Sequence, residues 1–514
     1  MTWVDQALLL AAVFGPVAGA LAVLAMPRGR PELANRTAAT FSVLALAAGV
    51  AMLARFDYGA GRAFQFELRS DWIPSIGIGF HLGIDGIALP LLVLSLLLTT
   101  LCVFYTGRHL PAPGNMRVFL ALLLLLTTGV NGTFAALDLI LFFVFFELVL
   151  APMYFLVAIW GGDRREYSAI KFFLYTCIGS VFMLLGFIAL WYRSAPAVAD
   201  RTFDLLALQD LGAGGRFAGT FGMVVFAAVG FGLAVKTPLW PFHTWLPDAH
   251  TDAPTVGSVL LAGVMLKMGT YGFVRIALPV LPEAAVRWAP VIGVLSGIAI
   301  IYGSLCCLAQ RDLKRLIAYS SVGHKGFVML GIATLTTAGI NAAVFGMVGH
   351  GVVTGMLFFL AGSVHERYHT RDIVELGGGM LAKLPRLGGI LGFASIASLG
   401  LPGLAGFWGE MLALLAAWNP APGLSVPLFR TLMVVGGIGT LLTAAYFLLM
   451  LQRVNLGRLP ERWATASFGD VAAAEYVAWT PLLLLIVALG VAPGLLLGIT
   501  NPAVEAWFTK LFGA

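Results

Sequence analysis

AVKTPLWPFHTWLPDAH, residues 234 to 250, places Lys236, three prolines and two histidines inside an otherwise apolar run. A charge beside Pro238, Pro241 and Pro247 is a helix-breaking and costly choice in apolar surroundings. What surrounds the stretch therefore decides how it is read.

The surroundings are a membrane. Of 514 residues, 60% are hydrophobic and 11% charged, with a mean hydropathy of +0.93, against roughly 25% charged residues in an ordinary soluble domain. A transmembrane helix needs about 20 predominantly apolar residues, and such runs recur from Trp3 almost to the C-terminus. They predict an all-α polytopic membrane protein of about fourteen spans: 3–26, 34–55, 85–105, 115–133, 138–160, 165–192, 217–249, 255–280, 286–307, 314–335, 340–366, 386–418, 428–452 and 474–499. The first run has no basic segment before it, so it is expected to be a retained helix rather than a cleaved signal.

Orientation follows from Lys and Arg. Loops after odd-numbered spans carry Arg28, Arg30, Arg36, Arg108, Arg117, Arg164, Arg165, Arg311, Lys314, Arg315, Arg367, Arg371, Lys383, Arg386, Arg453, Arg458 and Arg462. The opposite side carries only Arg55, Arg62, Arg69, Arg193, Arg201, Arg216, Arg287, Arg430 and Lys510. The positive-inside rule then puts both termini on the periplasmic side. The net charge of +6 is accounted for by these loops and gives no reason to expect nucleic-acid binding. Between spans 2 and 3, residues 64–86 alternate apolar and polar residues around Asp71 and Pro74, which suits either an extracytoplasmic hairpin or an irregular loop.

Two spans are too long. Residues 217–249 and 386–418 each run for about 50 Å as straight helix, against a hydrocarbon core of about 30 Å. Each holds a proline near its middle, Pro238 and Pro402, so each is expected to break within the membrane, where freed backbone must line protein or water. The broken segments also resemble one another, KTPLWPFHTWLP (236–247) against GLPGLAGFWGEM (400–411), and the helices before them echo each other, AIKFFLYTCIGSVFMLLG (169–186) against AAVFGMVGHGVVTGMLFF (342–359). Spans 4–8 are thus expected to repeat as spans 9–13, and an odd repeat length inverts the second copy in the membrane. The expected organisation is 1–114 with the hairpin, a first repeat over 115–280, a second over 281–452, and a final span with its tail over 453–514.

An ionisable group at the bilayer centre costs at least about 2.5–3.5 kcal/mol, so each needs a reason. Glu147 falls about 14 Å into span 5 and Lys267 about 18 Å into span 8 at 1.5 Å per residue. Lys236 precedes the first break and Glu410 follows the second; His324 and Lys325 lie within span 10 and His350 within span 11. Singly, each histidine suits a satisfied core hydrogen bond and each charge an ion pair. Spread over six helices, they suggest a proton relay. Desolvation favours the neutral form of a buried lysine, and a carboxylate brought within about 6 Å favours the charged form. Changing the distance between Glu147 and Lys236 would switch that lysine between taking and releasing a proton.

His243, Asp248 and His250 match no closed metal site and are expected to line the cytoplasmic mouth of the same pathway. Lys171 is shallow enough to snorkel, and Asp138 suits a helix cap. The four cysteines read as small core residues, with no metal-ligand spacing. No Walker A, dinucleotide fingerprint, cluster or haem ligand set appears. The chain is therefore expected neither to hydrolyse ATP nor to carry electrons itself.

Three stretches, AVKTPLWPFHTWLPDAHTDAPTVGSVLLAGVMLKMGTYG (234–272), FFELVLAPMYFLVAIWGG (145–162) and LKRLIAYSSVGHKGFVMLG (313–331), resemble the proton-pumping transmembrane family shared by respiratory complex I and multisubunit cation/proton antiporters. The resemblance spans nearly the whole chain. It implies Glu147 as the partner that tunes Lys236, Lys236 as central proton carrier, Lys267 with His324 and His350 as relay, and Glu410 as exit-side carrier. Glu410, in GFWGEML, resembles the complex I side of the family, since the sister chains and antiporter subunits usually carry lysine there. Lys325 departs from an expected apolar residue; it either alters the relay or snorkels. The resemblance further implies no cofactor in this chain, with flavin, iron-sulfur clusters and quinone in partner subunits. The implied setting is the bacterial plasma membrane beside chain L and chain N type neighbours, with lipid, water and protons around it, in the same topology as the mitochondrial inner membrane. The rival implication is a sodium or potassium/proton antiporter subunit.

Overall fold

The computed structural model describes residues 2–61, 64–110 and 112–512. Arg62 and the side chain of Lys510, both counted for orientation, lie outside the described residues. Among the described residues, thirteen helices are long and apolar enough to cross a membrane. The other expected span, span 12, is the pair of shorter helices Pro385–Ser398 and Ala405–Trp418. Spans 8 (Thr255–Val280), 10 (Leu313–Ala333) and 11 (Thr337–Tyr368) form the core: the most apolar window of span 8 is wholly buried, whereas that of span 2 (Pro31–Arg55) is 33% buried. These three carry Lys267, Lys325 and His350, which lipid would penalise, so the chain wraps them in spans that carry almost none.

Both expected breaks are present. Span 7 is helical over Gly219–Lys236, irregular over 237–244 and helical again over Trp245–Asp252. Pro238 cannot bond the Ala234 carbonyl, which accepts from Leu239 N at 2.9 Å instead, and the Trp245 indole donates to the Val235 carbonyl at 3.0 Å. The freed backbone is thus satisfied inside protein, as the membrane interior demands. In span 12 the chain turns between Ser398 and Ala405 through Gly400 (φ +84°) and Gly403 (φ +92°), positive angles that a side chain would strain.

Three irregularities are not in the expected pattern. Span 5 is split into Leu139–Leu148 and Leu150–Trp160, one residue after Glu147. Pro152 lacks the N–H that the Leu148 carbonyl needs, which explains the split. Span 8 contains two π-helical turns, Leu261–Met265 and Phe273–Ala277, on either side of the segment bearing Lys267; helical periodicity does not announce them. Span 14 ends at Val491 rather than near 499, before Pro493, and Gly494–Phe512 forms a further helix. This C-terminal helix crosses the ends of other spans at one face, with Thr500 and Asn501 each bonded to Asn341 at 2.8 Å and the Ile499 carbonyl against Gly86.

The segment between spans 2 and 3 is a hairpin: β1 (Gln65–Ile73) pairs antiparallel with β2 (Ile78–Ile84), Asp71 opposite Gly79. Pro74–Ile76 makes the turn, closed by Gly77 at φ +71°. Asp138 caps span 5 as expected, accepting from Ile140 and Leu141, and its other oxygen accepts from Gly79 of the hairpin at 3.1 Å. His81 is clamped between carboxylates, Nδ1 to Asp204 at 2.8 Å and Nε2 to Glu67 at 2.7 Å. Burial works against its charged form, but the bonds to Asp204 and Glu67 outweigh it and raise its pKa above the ordinary 6.5. Burial likewise pushes Asp204 up, but the His81 bond and the Ala207 N–H win and hold it below 3.8.

The clamp should therefore be pH-sensitive on both sides. The His81 contribution is complete below its ordinary value and is lost as pH rises through the raised one; the Asp204 contribution, present above 3.8, is lost as pH falls through the lowered one. Amide hydrogen exchange of residues 78–84, corrected for intrinsic rate, is expected to be slowest at mildly acidic pH and to speed up in alkali. His81→Leu should erase the alkaline step.

Also at this end, Arg275 of span 8 forms a fully buried ion pair with Asp85. Its Nε donates to the Tyr271 hydroxyl at 3.0 Å, that hydroxyl donates to the Phe134 carbonyl at 2.8 Å, and Asp85 accepts from the Ile87 and Ala88 N–H groups at 3.0 Å each. Removing one partner leaves the other charge buried alone, so Asp85→Asn should destabilise the detergent-solubilised chain by about 3–5 kcal/mol. The double variant Asp85→Leu with Arg275→Met should lose less, a comparison that thermal unfolding reads directly.

Candidate functional site

The break in span 7 makes Lys236 the last residue of its helix, 2% exposed. Gly269 of span 8 admits this break: a Cβ there would lie 2.5 Å from Thr237 Oγ1, so only glycine lets the turn approach the helix carrying Lys267. The Lys236 ammonium has no hydrogen-bond partner; the rings of Phe146 and Phe172 lie 5.0 and 5.9 Å away. Glu147 stands beside Phe146 on span 5, half-buried, with its Oε1 also unpartnered. The two expected partners are thus close enough to act through charge, but they do not form an ion pair.

The second half of the row is connected by contact. Lys267 Nζ lies 2.9 Å from His350 Nδ1 and also donates to the Ala262 carbonyl within the first π-helical turn. The His350 ring sits 5.6 Å from that of His324, centroid to centroid. His324 in turn bonds Glu410 Oε1 at 2.7 Å through Nδ1 and Ser398 Oγ at 3.2 Å through Nε2. Glu410 reaches this position because Gly409 packs on Gly346 of span 11, where a Cβ would lie 2.6 Å from the Gly346 Cα. A cavity with about 30 Å³ open to water, bounded by His324, His350, Ser398 and Glu410, lies at the break of span 12. That is room for a water or two. Four helices thereby present a lysine, two imidazoles and a carboxylate in sequence, groups that all exchange protons.

Of the secondary candidates, Lys325 is fully buried and its ammonium has no partner, so it does not snorkel. Lys171 bonds Asp248 at 2.7 Å, and Arg164 and Arg315 approach the same carboxylate at 3.6 Å. Asp248 is therefore a hub for three cations rather than a metal ligand. His243 is buried edge-on against Tyr302. His250 is 0% exposed, stacked at 4.5 Å on Phe358 of span 11, and both its ring nitrogens are unpartnered.

Several buried charges are missing from the expected row. Arg275 is legible in GTYGFVRIAL as a charge within a span. Lys314 counts as a loop residue in the orientation balance, yet it is 4% exposed and donates to the Ala253 carbonyl; its place at the end of an apolar run hides this. Glu475 at the start of span 14 is also fully buried, held by Arg367 at 2.7 and 2.9 Å and by Ser363 at 2.6 Å. Ligand atoms of Glu475, His109 and Glu366 lie within 4.8 Å of one another, but the Arg367 guanidinium already fills the cation position beside Glu475. Cys102 and Cys307 are buried core residues, and Cys177 and Cys306 are partly exposed.

The transmembrane family described as NADH:quinone oxidoreductase/Mrp antiporter matches residues 136–436. The chain is 38% identical over 475 residues to an NADH-quinone oxidoreductase subunit M of Rickettsia bellii, covering 92% of this chain and 91% of that protein. It is 38% identical over 507 residues to the subunit M of Rhodobacter capsulatus, covering 97% and 96%. Among solved structures, a chain of respiratory complex I from Thermus thermophilus with bound NADH is 28% identical with a TM-score of 0.85, covering 98% of this chain and 99% of that one. A chain of the Mrp complex from Dietzia shares the fold at 21% identity and the same TM-score, covering 99% and 98%.

Proposed function

Since the chain belongs to the NADH:quinone oxidoreductase/Mrp antiporter transmembrane family, we propose that it is a subunit M type membrane subunit of an NADH-quinone oxidoreductase and that it translocates protons. The observation that carries the reading is the contact sequence Lys267, His350, His324, Glu410 across four helices. Lys236, with Glu147 across from it, would load this sequence. Glu410 would release protons to the periplasm. Subunit M relatives at this identity and coverage favour the oxidoreductase over the antiporter reading.

The redox chemistry belongs to partners: flavin, iron-sulfur clusters and quinone sit in other subunits, and chain L and chain N type subunits flank this one in the plasma membrane, both termini periplasmic. The two breaks belong to inverted five-span repeats. Supporting this, each repeat sets an acid against a base across the same pair of helices, Glu147 of span 5 with Lys236 of span 7, and His324 of span 10 with Glu410 of span 12. The polarity is exchanged between the repeats.

Lys236→Ala, Glu147→Ala and Glu410→Ala should each assemble but lower NADH-driven proton pumping by about tenfold or more, the scale of losing a positioned proton carrier. The check is acidification of inverted membrane vesicles with NADH as the only donor. Normal pumping in all three would end the proposal.

A further inference from the structure

Lys325 is a buried cation with nothing to hold it. Its side chain is 0% exposed, and its ammonium has no hydrogen-bond partner among the described residues. Methionine would fill much the same space without burying a charge, so packing alone does not explain a lysine here. Residues 314 and 325 lie about three turns apart and so share one face of span 10. Lys314 reaches the Ala253 carbonyl just ahead of span 8. Lys325 therefore points to the same side, about 16 Å farther along the helix. Lys267 of span 8 and His350 of span 11 both lie within Coulombic range of it.

The elements packed on span 10 bring few other titratable groups to this depth. Span 9 approaches Gly323 and Gly326 with Ser296, Ile300 and Ser304, none of which titrates. Tyr446 of span 13 stands by Ser320, on the far side of the helix. The second half of span 7 contributes His250, in Coulombic range of Lys314 and Lys267, while its Asp248 and Asp252 are engaged by Lys171 and Ser168. The second half of span 12 contributes Glu410, already bonded to His324. Lys325 thus has bases near it and no free carboxylate, and in so dry a site it and Lys267 disfavour each other's charged form. His350 gives Nδ1 to Lys267, while its Nε2 is buried without a partner. An unpartnered imidazole nitrogen and an unpartnered lysine nitrogen therefore share one stretch of the core.

We propose that Lys325 is a side station of the row, loaded from His350 Nε2, so that this chain holds one exchangeable proton beyond those of Lys267, His350, His324 and Glu410. A proton passes from Lys267 Nζ to His350 Nδ1, and the proton on Nε2 goes to Lys325 Nζ. His350 is then neutral and Lys325 charged. The next proton to reach Lys267 meets that charge, and repulsion returns the stored proton to His350 Nε2. His350, now protonated on both nitrogens, passes one proton on toward His324 and Glu410. The flexible four-carbon stem of the lysine, with no bond to release, closes the gap to the ring. Arginine keeps a charge but does not give up a proton, and methionine has neither, so storage and mere charge are separable. The inference rests on the proton-translocating reading above.

The test uses the whole complex in inverted vesicles, with assembly checked by NADH oxidation through an artificial acceptor. Lys325→Arg fixes beside His350 a charge that cannot be given up, and should lower NADH-driven acidification about tenfold. Lys325→Met removes the charge, so Lys267 should keep its proton to higher pH. The alkaline half-maximum of pumping should then move up by about one pH unit, the coupling at which two groups begin to titrate as a pair. Parent-level pumping by Lys325→Arg overturns the station, because a charge that stays in place then suffices. A Lys325→Met pH profile that coincides with the parent's overturns the coupling, and this profile decides the matter if the arginine variant fails to assemble. Normal pumping by Lys236→Ala, Glu147→Ala and Glu410→Ala sinks the general reading instead, whatever the Lys325 variants do.

Discussion

A positive charge taken out of water without a counter-charge is the constraint around which this molecule is organised. Lys236, Lys267, Lys314 and Lys325 are all buried, and among the described residues none has a carboxylate within ion-pair distance. The effective penalty is several kcal/mol per ion when no partner repays it. What replaces the partner differs by site: aromatic faces around Lys236, a histidine and a carbonyl at Lys267, a carbonyl and open water at Lys314. Lys325 has none of these among the described residues. Arg275 with Asp85 and Arg367 with Glu475 are fixed arginine–carboxylate pairs near the two ends of the core. Fixed pairs hold the ends together, and Lys236, Lys267 and Lys325 lie between them.

That division is partly legible in the sequence. Span number, the two breaks and the core helices follow from hydropathy, proline and buried charge, because each is a cost that a membrane imposes on the local sequence. Glu147, Lys236, Lys267, His324, His350 and Glu410 stand out for the same reason. What escapes is set by long-range contact. Lys314 looks like a loop residue because its burial comes from Ala253, sixty-one residues away in the chain. The split after Glu147 is readable from Pro152. The π-helical turns are not, since helical periodicity survives them. Sequence also pairs Glu147 with Lys236 more tightly than the fold does, because proximity on neighbouring helices does not fix two side-chain rotamers.

Glycine is where the apolar framework and the polar row meet. Gly409 against Gly346 brings Glu410 to the cavity it shares with His324, and Gly269 lets the span 7 break lie against the Lys267 helix. With a side chain at either place, the helices would have to separate and the polar groups with them. Helix packing and the placement of the polar row are thus set by the same few atoms.

The C-terminal helix binds the molecule along one edge. Its Thr500 and Asn501 hold the start of span 11, and its Ile499 carbonyl presses on Gly86 ahead of span 3. Spans 3 and 11 are therefore stitched together at one face, while at the opposite face the same two helices flank a cavity of about 550 Å³. The pair is arranged like the covers of a book with the C-terminal helix along its spine. Any widening of the cavity has its fulcrum at that spine, so a small tilt there becomes a larger displacement at the cavity's mouth and almost none at the spine.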